Sequence, residues 1–287
     1  MAIGVFDSGI GGLTVHHALV GGLPNADFVY LADQANSPYG GRPGEEIVAL
    51  TRAGCELLFD EGCDLVILAC NTAASVALRR LQQTWLPGYR RALGRPVNVL
   101  GIIVPTIEAA TGVPWAQEAE RREERVEKAE QLDILGIFST PATASSRVYE
   151  IEIHKRSQDV AVFSEPCPTL ARMIEAGAPE SELAPVVRGH VSALAKRIGR
   201  PPDRAILGCT HYEIIADLFR AALPAGTPLI HQPRATAEAI QRYLAAHPEY
   251  DPGAGAARRF LTTGKPGQQN GLVERFWGTP LNFEAAT

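Results

Sequence analysis

DLVILACNT, residues 64–72, decides the fold: Leu65 to Ala69 run without a polar break into Cys70, Asn71 and Thr72, where a helix-forming stretch begins. A short apolar run rich in Val, Ile and Leu that passes at once into helical periodicity reads as a strand buried on both faces, leading into a crossover helix. Asp203-Arg-Ala-Ile-Leu-Gly-Cys209-Thr-His211 repeats the stretch in register at its Asp, Ile, Leu and Cys positions. Earlier in each half, Gly4-Val-Phe6-Asp7-Ser8 is echoed by Gly136-Ile-Phe138-Ser139-Thr140. The two echoes keep their order at offsets of 139 and 132 residues, which implies two related α/β units.

Working outward, the same kind of apolar run recurs as AIGVF (2–6), DFVYLAD (27–33), VNVLGII (97–103), DILGIF (133–138), DVAVFSE (159–165), RAILG (204–208) and PLIHQ (228–232). Helical periodicity is clearest over Gly44 to Phe59, Thr72 to Thr84, Thr143 to His154, Glu180 to Ile198 and Tyr212 to Ala222. Strands alternating with helices make the fold class α/β, with mostly parallel sheets flanked by helices. Residues 116–131 mix both charge signs, with Glu118 facing Arg122 and Glu124 facing Lys128, and read as an exposed helix. Gly and Pro cluster at Pro252 to Gly267, which reads as a loop-rich region.

Composition narrows the function. A chain of 287 residues with 46% hydrophobic and 21% charged residues is that of a globular enzyme of one or two domains. Its net charge of −5 supplies no basic field for nucleic acid or anionic lipid, so neither is expected as a partner. Apolar runs are interrupted well before the roughly 20 residues that span a bilayer, and the MAIGVFDSG start has no signal-peptide pattern; a cytoplasmic protein is expected. The five cysteines are an odd number, without CxxC spacing, and are expected as free thiols rather than disulfides or zinc ligands.

Two of those thiols carry the chemistry. Cys70 and Cys209 each end an apolar strand just before a helix, where the helix N-terminus is expected to lower the thiol pKa. A lone cysteine in that setting is usually a small buried hydrophobe, but two in matched settings suit a two-base reaction. One thiolate would take a carbon-bound α-proton from one face while the other thiol returns a proton to the opposite face. A redox dithiol is the rival reading of the pair. Asp7 and Ser8 end the first strand ahead of a Gly9, Gly11, Gly12 turn that lacks dinucleotide or P-loop spacing. His211 sits two residues beyond Cys209, close enough to bond that thiol. Thr72 and Thr210 read as helix N-caps. Only Lys128, Lys155, Lys196 and Lys265 exist, none resembling a buried Schiff-base lysine, so no cofactor and no metal are expected.

These residues sit inside motifs that resemble the glutamate racemase family of the aspartate/glutamate racemase superfamily: FDSGIGGLTV (6–15), SPYGGR (37–42), ACNTA (69–73) and GCTHY (208–212), with weaker similarity at CPTLARMIEAG (167–177) and ATAEAI (235–240). The resemblance implies a pyridoxal-independent racemase of two pseudo-symmetric α/β domains with its active site in the interdomain cleft. Residues 1–98 with 212–287 would form the first domain and 99–211 the second. Cys70, assisted by Asp7, would take the proton from the D-enantiomer, and Cys209, assisted by His211 and Glu175, from the L-enantiomer. Asp7, Ser8, Tyr39, Gly40, Asn71, Thr72, Thr210 and His211 would hold the substrate, with Thr140 and Thr143. A glutamate substrate, D-glutamate supply to peptidoglycan and a homodimer are further implications. An aspartate or other dicarboxylic amino-acid racemase, and a catalytically silent binding protein of the same fold, stand beside this reading.

Overall fold

The computed structural model describes residues 1–114, 132–157, 159–267 and 270–286; the charge-dense run at 116–131 lies outside them. The chain divides into two compact units, residues 1–102 with 233–287, and residues 103–232. The expected return to the first unit at 212 and the division after Gln232 differ by one segment, which stays with the second unit because its strand Leu229–Ile230 pairs there.

Strands are numbered in chain order. The first unit holds β1 (Ala2–Asp7), β2 (Phe28–Ala32), β3 (Cys63–Leu68), β4 (Asn98–Gly101), β9 (Arg258–Thr262) and β10 (Glu284–Ala285), in the order β10-β9-β2-β1-β3-β4 with all pairs parallel. The second holds β5 (Asp133–Ser139), β6 (Val160–Pro166), β7 (Arg204–Gly208) and β8 (Leu229–Ile230), in the order β6-β5-β7-β8, again all parallel. The orders β2-β1-β3-β4 and β6-β5-β7-β8 are the same topology, so the sequence echo marks a structural repeat. All eight expected strands are present. β9 and β10 were not expected; β9 lies within the stretch read as loop, and it forms by pairing along the whole of β2, a long-range contact that Gly- and Pro-rich flanks conceal.

Apolar side chains on both faces explain the parallel sheets: Ile3, Val5 and Phe6 of β1 and Leu65, Val66, Ile67 and Leu68 of β3 have no solvent exposure. The helix Gly44–Asp60 packs so tightly on β1 that a Cβ at Gly54 would come within 2.2 Å of the Phe6 ring. Glu180–Ile198 forms as expected and is closed by Gly199 at φ 86°, a left-handed conformation that suits glycine. The other helices depart from simple periodicity. The one expected to end at Thr84 instead passes through a π turn, Leu81–Trp85, into Leu86–Leu93, because Pro87 cannot bond back to the preceding turn. The helix expected over Thr143 to His154 is two, Pro141–Ser146 and Val148–His154, parted by Arg147 at φ 53°. The one expected from Tyr212 opens as a 3-10 turn, Thr210–Ile215, before Ala216–Ala222. Among the described residues, no helix is long and apolar enough to cross a membrane.

His16, on the first helix, is wholly buried among the rings of Phe28, Tyr30, Phe260 and Trp277, stacking on the last at 5.2 Å. Neither ring nitrogen has a hydrogen-bond partner, and burial, reinforced by the Arg258 and His17 charges, lowers its pKa to about 3. The unfolded chain therefore takes up a proton near pH 6.5 that the folded protein refuses, and stability that is complete above that pH drains as the pH falls towards 3. Between pH 7 and pH 5, urea unfolding is expected to show the wild type losing about 2 kcal/mol more than His16→Phe; equal losses would show that His16 is not held neutral.

Candidate active site

In each sheet the strand order reverses beside the central strand, between β1 and β3 and between β5 and β7. At such a reversal the crossover helices leave in opposite directions and open a crevice at the carboxyl ends of the strands. Asp7 and Ser8 leave β1 there, and Cys70 leaves β3; Phe6 pairs with Leu68, and the Ala69 and Cys70 amides both donate to the Phe6 carbonyl. In the second unit Ser139 pairs with Gly208, which sets Thr140 beside Cys209.

Around Cys70 the first unit gathers buried Asp7, Ser8, Tyr39, Asn71 and Thr72. The Ser8 hydroxyl lies 3.3 Å from the Cys70 sulfur, and that sulfur accepts the Ala73 amide at 3.4 Å. Cys70 itself is thus the N-cap of the helix Asn71–Val76, and Thr72, expected as the cap, lies in its first turn. Asp7 is fixed by the Gly12 amide at 2.6 Å, and a Cβ on Gly12 would come within 2.7 Å of the Asp7 Cβ, so the glycine turn is required to hold the carboxylate. The Cys70 thiol, expected from its place before a helix to be acidified, is not. Burial and the Asp7 charge push it up to about 12, outweighing the Ser8 hydroxyl and the Ala73 and Ser8 amides that pull it down. Three hydrogen bonds, one of them from the helix start, are too weak to offset removal of a thiolate from water.

Tyr39 packs on Phe6 with ring centroids 6.3 Å apart and donates to Asp33 at 2.5 Å. Burial first and then the Asp33, Cys70 and Asp7 charges hold its phenol well above the ordinary range. Gly40 follows on the same half-buried loop, after a cis Ser37–Pro38 peptide. Asp33, 4% exposed, was not singled out from sequence; the available signal was its place just after β2, one residue beyond Ala32, which pairs with Asp7.

The second unit gathers Thr140, Thr143, Cys209, Thr210 and His211, all buried, with Glu175 partly exposed. Cys209 Sγ lies 3.8 Å from His211 Nδ1, and His211 Nε2 lies 2.9 Å from Glu175 Oε1. Burial by itself lowers the His211 pKa, but its bonds and charge interactions with Cys209 and Glu175 prevail and raise it well above the ordinary value. His211 thus bridges the Cys209 sulfur and the Glu175 carboxylate, and an imidazole so placed can pass a proton towards the sulfur. Cys209, not Thr210, occupies the N-cap position of the 3-10 turn, and the Thr140 hydroxyl caps Pro141–Ser146 by accepting the Thr143 amide at 3.3 Å.

All five cysteines are free and buried. Lys155 is bonded to Glu152 at 2.6 Å, and Lys196 and Lys265 are exposed, so no described lysine sits at a strand end as a Schiff-base nucleophile would. Among the described residues, no cluster of His, Cys, Asp or Glu is arranged to hold a metal ion. Each unit thus offers a thiol at a strand end beside an ionisable partner, surrounded by hydroxyls and amides.

The sequence pattern of the Asp/Glu/Hydantoin racemase family matches residues 27–240. A glutamate racemase of Phenylobacterium zucineum is 78% identical over the full length of both chains. Among solved structures, the glutamate racemase of Francisella tularensis in complex with D-glutamate aligns with a TM-score of 0.80 at 26% identity, covering 100% of this chain and 97% of that one. Glutamate racemase isoform RacE1 of Bacillus anthracis aligns at 0.82 and 27% identity with the same coverage.

The sign of the His211 shift is measurable. A histidine pKa raised in the folded state keeps its proton through neutral pH and loses it only as the pH rises beyond its ordinary value. In an NMR titration His211 is expected to stay protonated at pH 7, and Glu175→Gln to move its midpoint down. An unmoved midpoint would remove Glu175 from the relay.

Proposed function

Since this chain belongs to the Asp/Glu/Hydantoin racemase family, we propose that it is a glutamate racemase that interconverts L- and D-glutamate by transferring a proton between two thiols, without a cofactor. The observation that carries the reading is the matched pair of strand-end thiols with unlike partners, Asp7 and Ser8 at Cys70, and His211 with Glu175 at Cys209. In one direction Cys70 as thiolate takes the α-proton while Cys209 as thiol gives its proton to the opposite face. Afterwards Cys70 is the thiol and Cys209 the thiolate, so no net proton is consumed. The reverse direction exchanges the roles.

The unlike partners suit this exchange. His211, whose pKa its bonds to Cys209 and Glu175 raise, lies 3.8 Å from the Cys209 sulfur and can give that sulfur a proton or take one from it. At Cys70, burial beside Asp7 favours the thiol until a cation approaches. The substrate's own ammonium group is such a cation, so binding would activate the base that burial and Asp7 hold protonated. Two carboxylates must be bound without an arginine, since the only buried arginine described, Arg156, pairs with Glu152. Ser8, Asn71 and Thr72 in one unit and Thr140, Thr143 and Thr210 in the other supply neutral donors instead, with the Tyr39–Gly40 loop.

The product would serve peptidoglycan synthesis in the cytoplasm, where free thiols persist, and the active form would be a homodimer; the family resemblance supports both.

In deuterated water, the pure protein is expected to exchange and invert the α-proton of either glutamate enantiomer. Cys70→Ser and Cys209→Ser should each lower turnover by about 10²- to 10⁴-fold while binding persists. Exchange with aspartate and none with glutamate would overturn the substrate, and full turnover in both variants would overturn the two-thiol mechanism.

A further inference from the structure

The buried carboxylate of Asp33 has no part in the proton transfer, yet it is among the most heavily bonded groups of the first unit. Thr263 Oγ1 donates to Asp33 Oδ1 at 2.6 Å, Asn36 Nδ2 donates to Oδ1 at 2.9 Å and to Oδ2 at 3.2 Å, and Tyr39 OH donates to Oδ2 at 2.5 Å. Thr263 directly follows β9, whose pairing with β2 carries it to the end of that strand, and its amide donates to the Ala32 carbonyl at 3.1 Å. Thr263 also accepts the Ala35 amide at 3.1 Å, and the preceding Thr262 donates to Gln34 at 2.7 Å. One residue pair at the end of β9 therefore holds the start of the loop 33–40, and Asp33 passes that hold on to Tyr39.

We propose that Asp33 and Thr263 are positioning residues for substrate binding: Thr263, brought by the C-terminal strand, fixes the Asp33 carboxylate, which by accepting the Tyr39 hydroxyl proton sets the place of the Tyr39–Gly40 loop. The inference rests on the glutamate racemase reading, in which that loop contacts substrate. It follows from donor and acceptor bookkeeping. An ionised carboxylate only accepts, and here it is buried, so each of its donors is held by a charge-assisted bond with little competition from water. With its hydroxyl proton committed to Asp33 and its ring against Phe6, Tyr39 cannot swing to follow a ligand, and the main chain on either side inherits that rigidity. A loop preordered in this way loses less entropy on binding, so removing the hold should weaken binding more than it slows proton transfer.

The test measures kcat and KM for both glutamate enantiomers, together with hydrogen exchange of the segment 33–42, in Thr263→Val, Thr263→Ser, Asp33→Asn and Tyr39→Phe. Thr263→Val is expected to raise KM for both enantiomers by about 3- to 10-fold with kcat within about 2-fold, and to speed exchange of the loop. Thr263→Ser, which keeps the hydroxyl, should restore both. Asp33→Asn should act in the same sense and more strongly. Tyr39→Phe should add little to the KM of Asp33→Asn, because one acts through the other. Loss of kcat at unchanged KM, or full additivity of Asp33→Asn and Tyr39→Phe, would overturn the proposal. If Thr263→Val does not fold, the Tyr39→Phe and Asp33→Asn pair decides by the same criterion. The exchange measurement needs no turnover, so a wild type inactive on glutamate would refute the substrate assignment, whereas unchanged loop exchange in Thr263→Val and Asp33→Asn would refute the positioning role.

Discussion

A parallel sheet whose strand order reverses beside its central strand cannot cover that point at its carboxyl edge, and each unit of this chain has one such sheet. The crossovers that leave β1 and β3 in one unit, and β5 and β7 in the other, run in opposite directions, and the residues that end those two adjacent strands are brought together without an intervening helix. Asp7, Ser8 and Cys70 meet for that reason in one unit, and Thr140 and Cys209 in the other. The close seating of Gly54 on Phe6 and of Gly12 on Asp7 serves the same end, since each keeps a strand terminus where its neighbour needs it.

Repetition of topology did not bring repetition of chemistry. Where the first unit has Asp7 after Phe6, the second has Ser139 after Phe138; where the second has His211 two residues beyond its thiol, the first has Thr72. The ionisable partner is thus supplied from the central strand in one unit and from beyond the thiol in the other. The surroundings of the two sulfurs differ accordingly: Asp7 opposes charge on Cys70, while the Cys209 sulfur faces His211, whose pKa its bonds to Cys209 and Glu175 raise. The proposed two-thiol reaction would need one acid and one base at every moment, and unlike surroundings would let the two thiols differ in that respect.

The C-terminal segment adds structure outside the repeat. β9 and β10 extend the first sheet beyond β2, and Phe260 and Trp277 enclose His16 in a cage with no polar partner. The same segment places Thr262 and Thr263 against the loop that follows β2. Packing and polar support therefore come from one length of chain, the first through aromatic rings at the sheet face and the second through hydroxyls at its edge.

Local pattern was enough to read the α/β class, the eight strands of the repeat and the positions of Cys70, Cys209, Asp7 and His211, because an unbroken apolar strand and the polar residue that ends it are written consecutively. β9 was not legible, since it becomes a strand only by pairing with β2, more than two hundred residues earlier in the chain. The break at Arg147 and the π turn before Pro87 depend on backbone conformations that periodicity does not encode. For Asp33 only its place after β2 was legible, because its importance lies in donors gathered from Asn36, Tyr39 and Thr263. Sequence alone also misjudged the acidity of Cys70: it shows which helix a thiol precedes, but the depth of burial that governs the cost of its charge is set by everything folded around it.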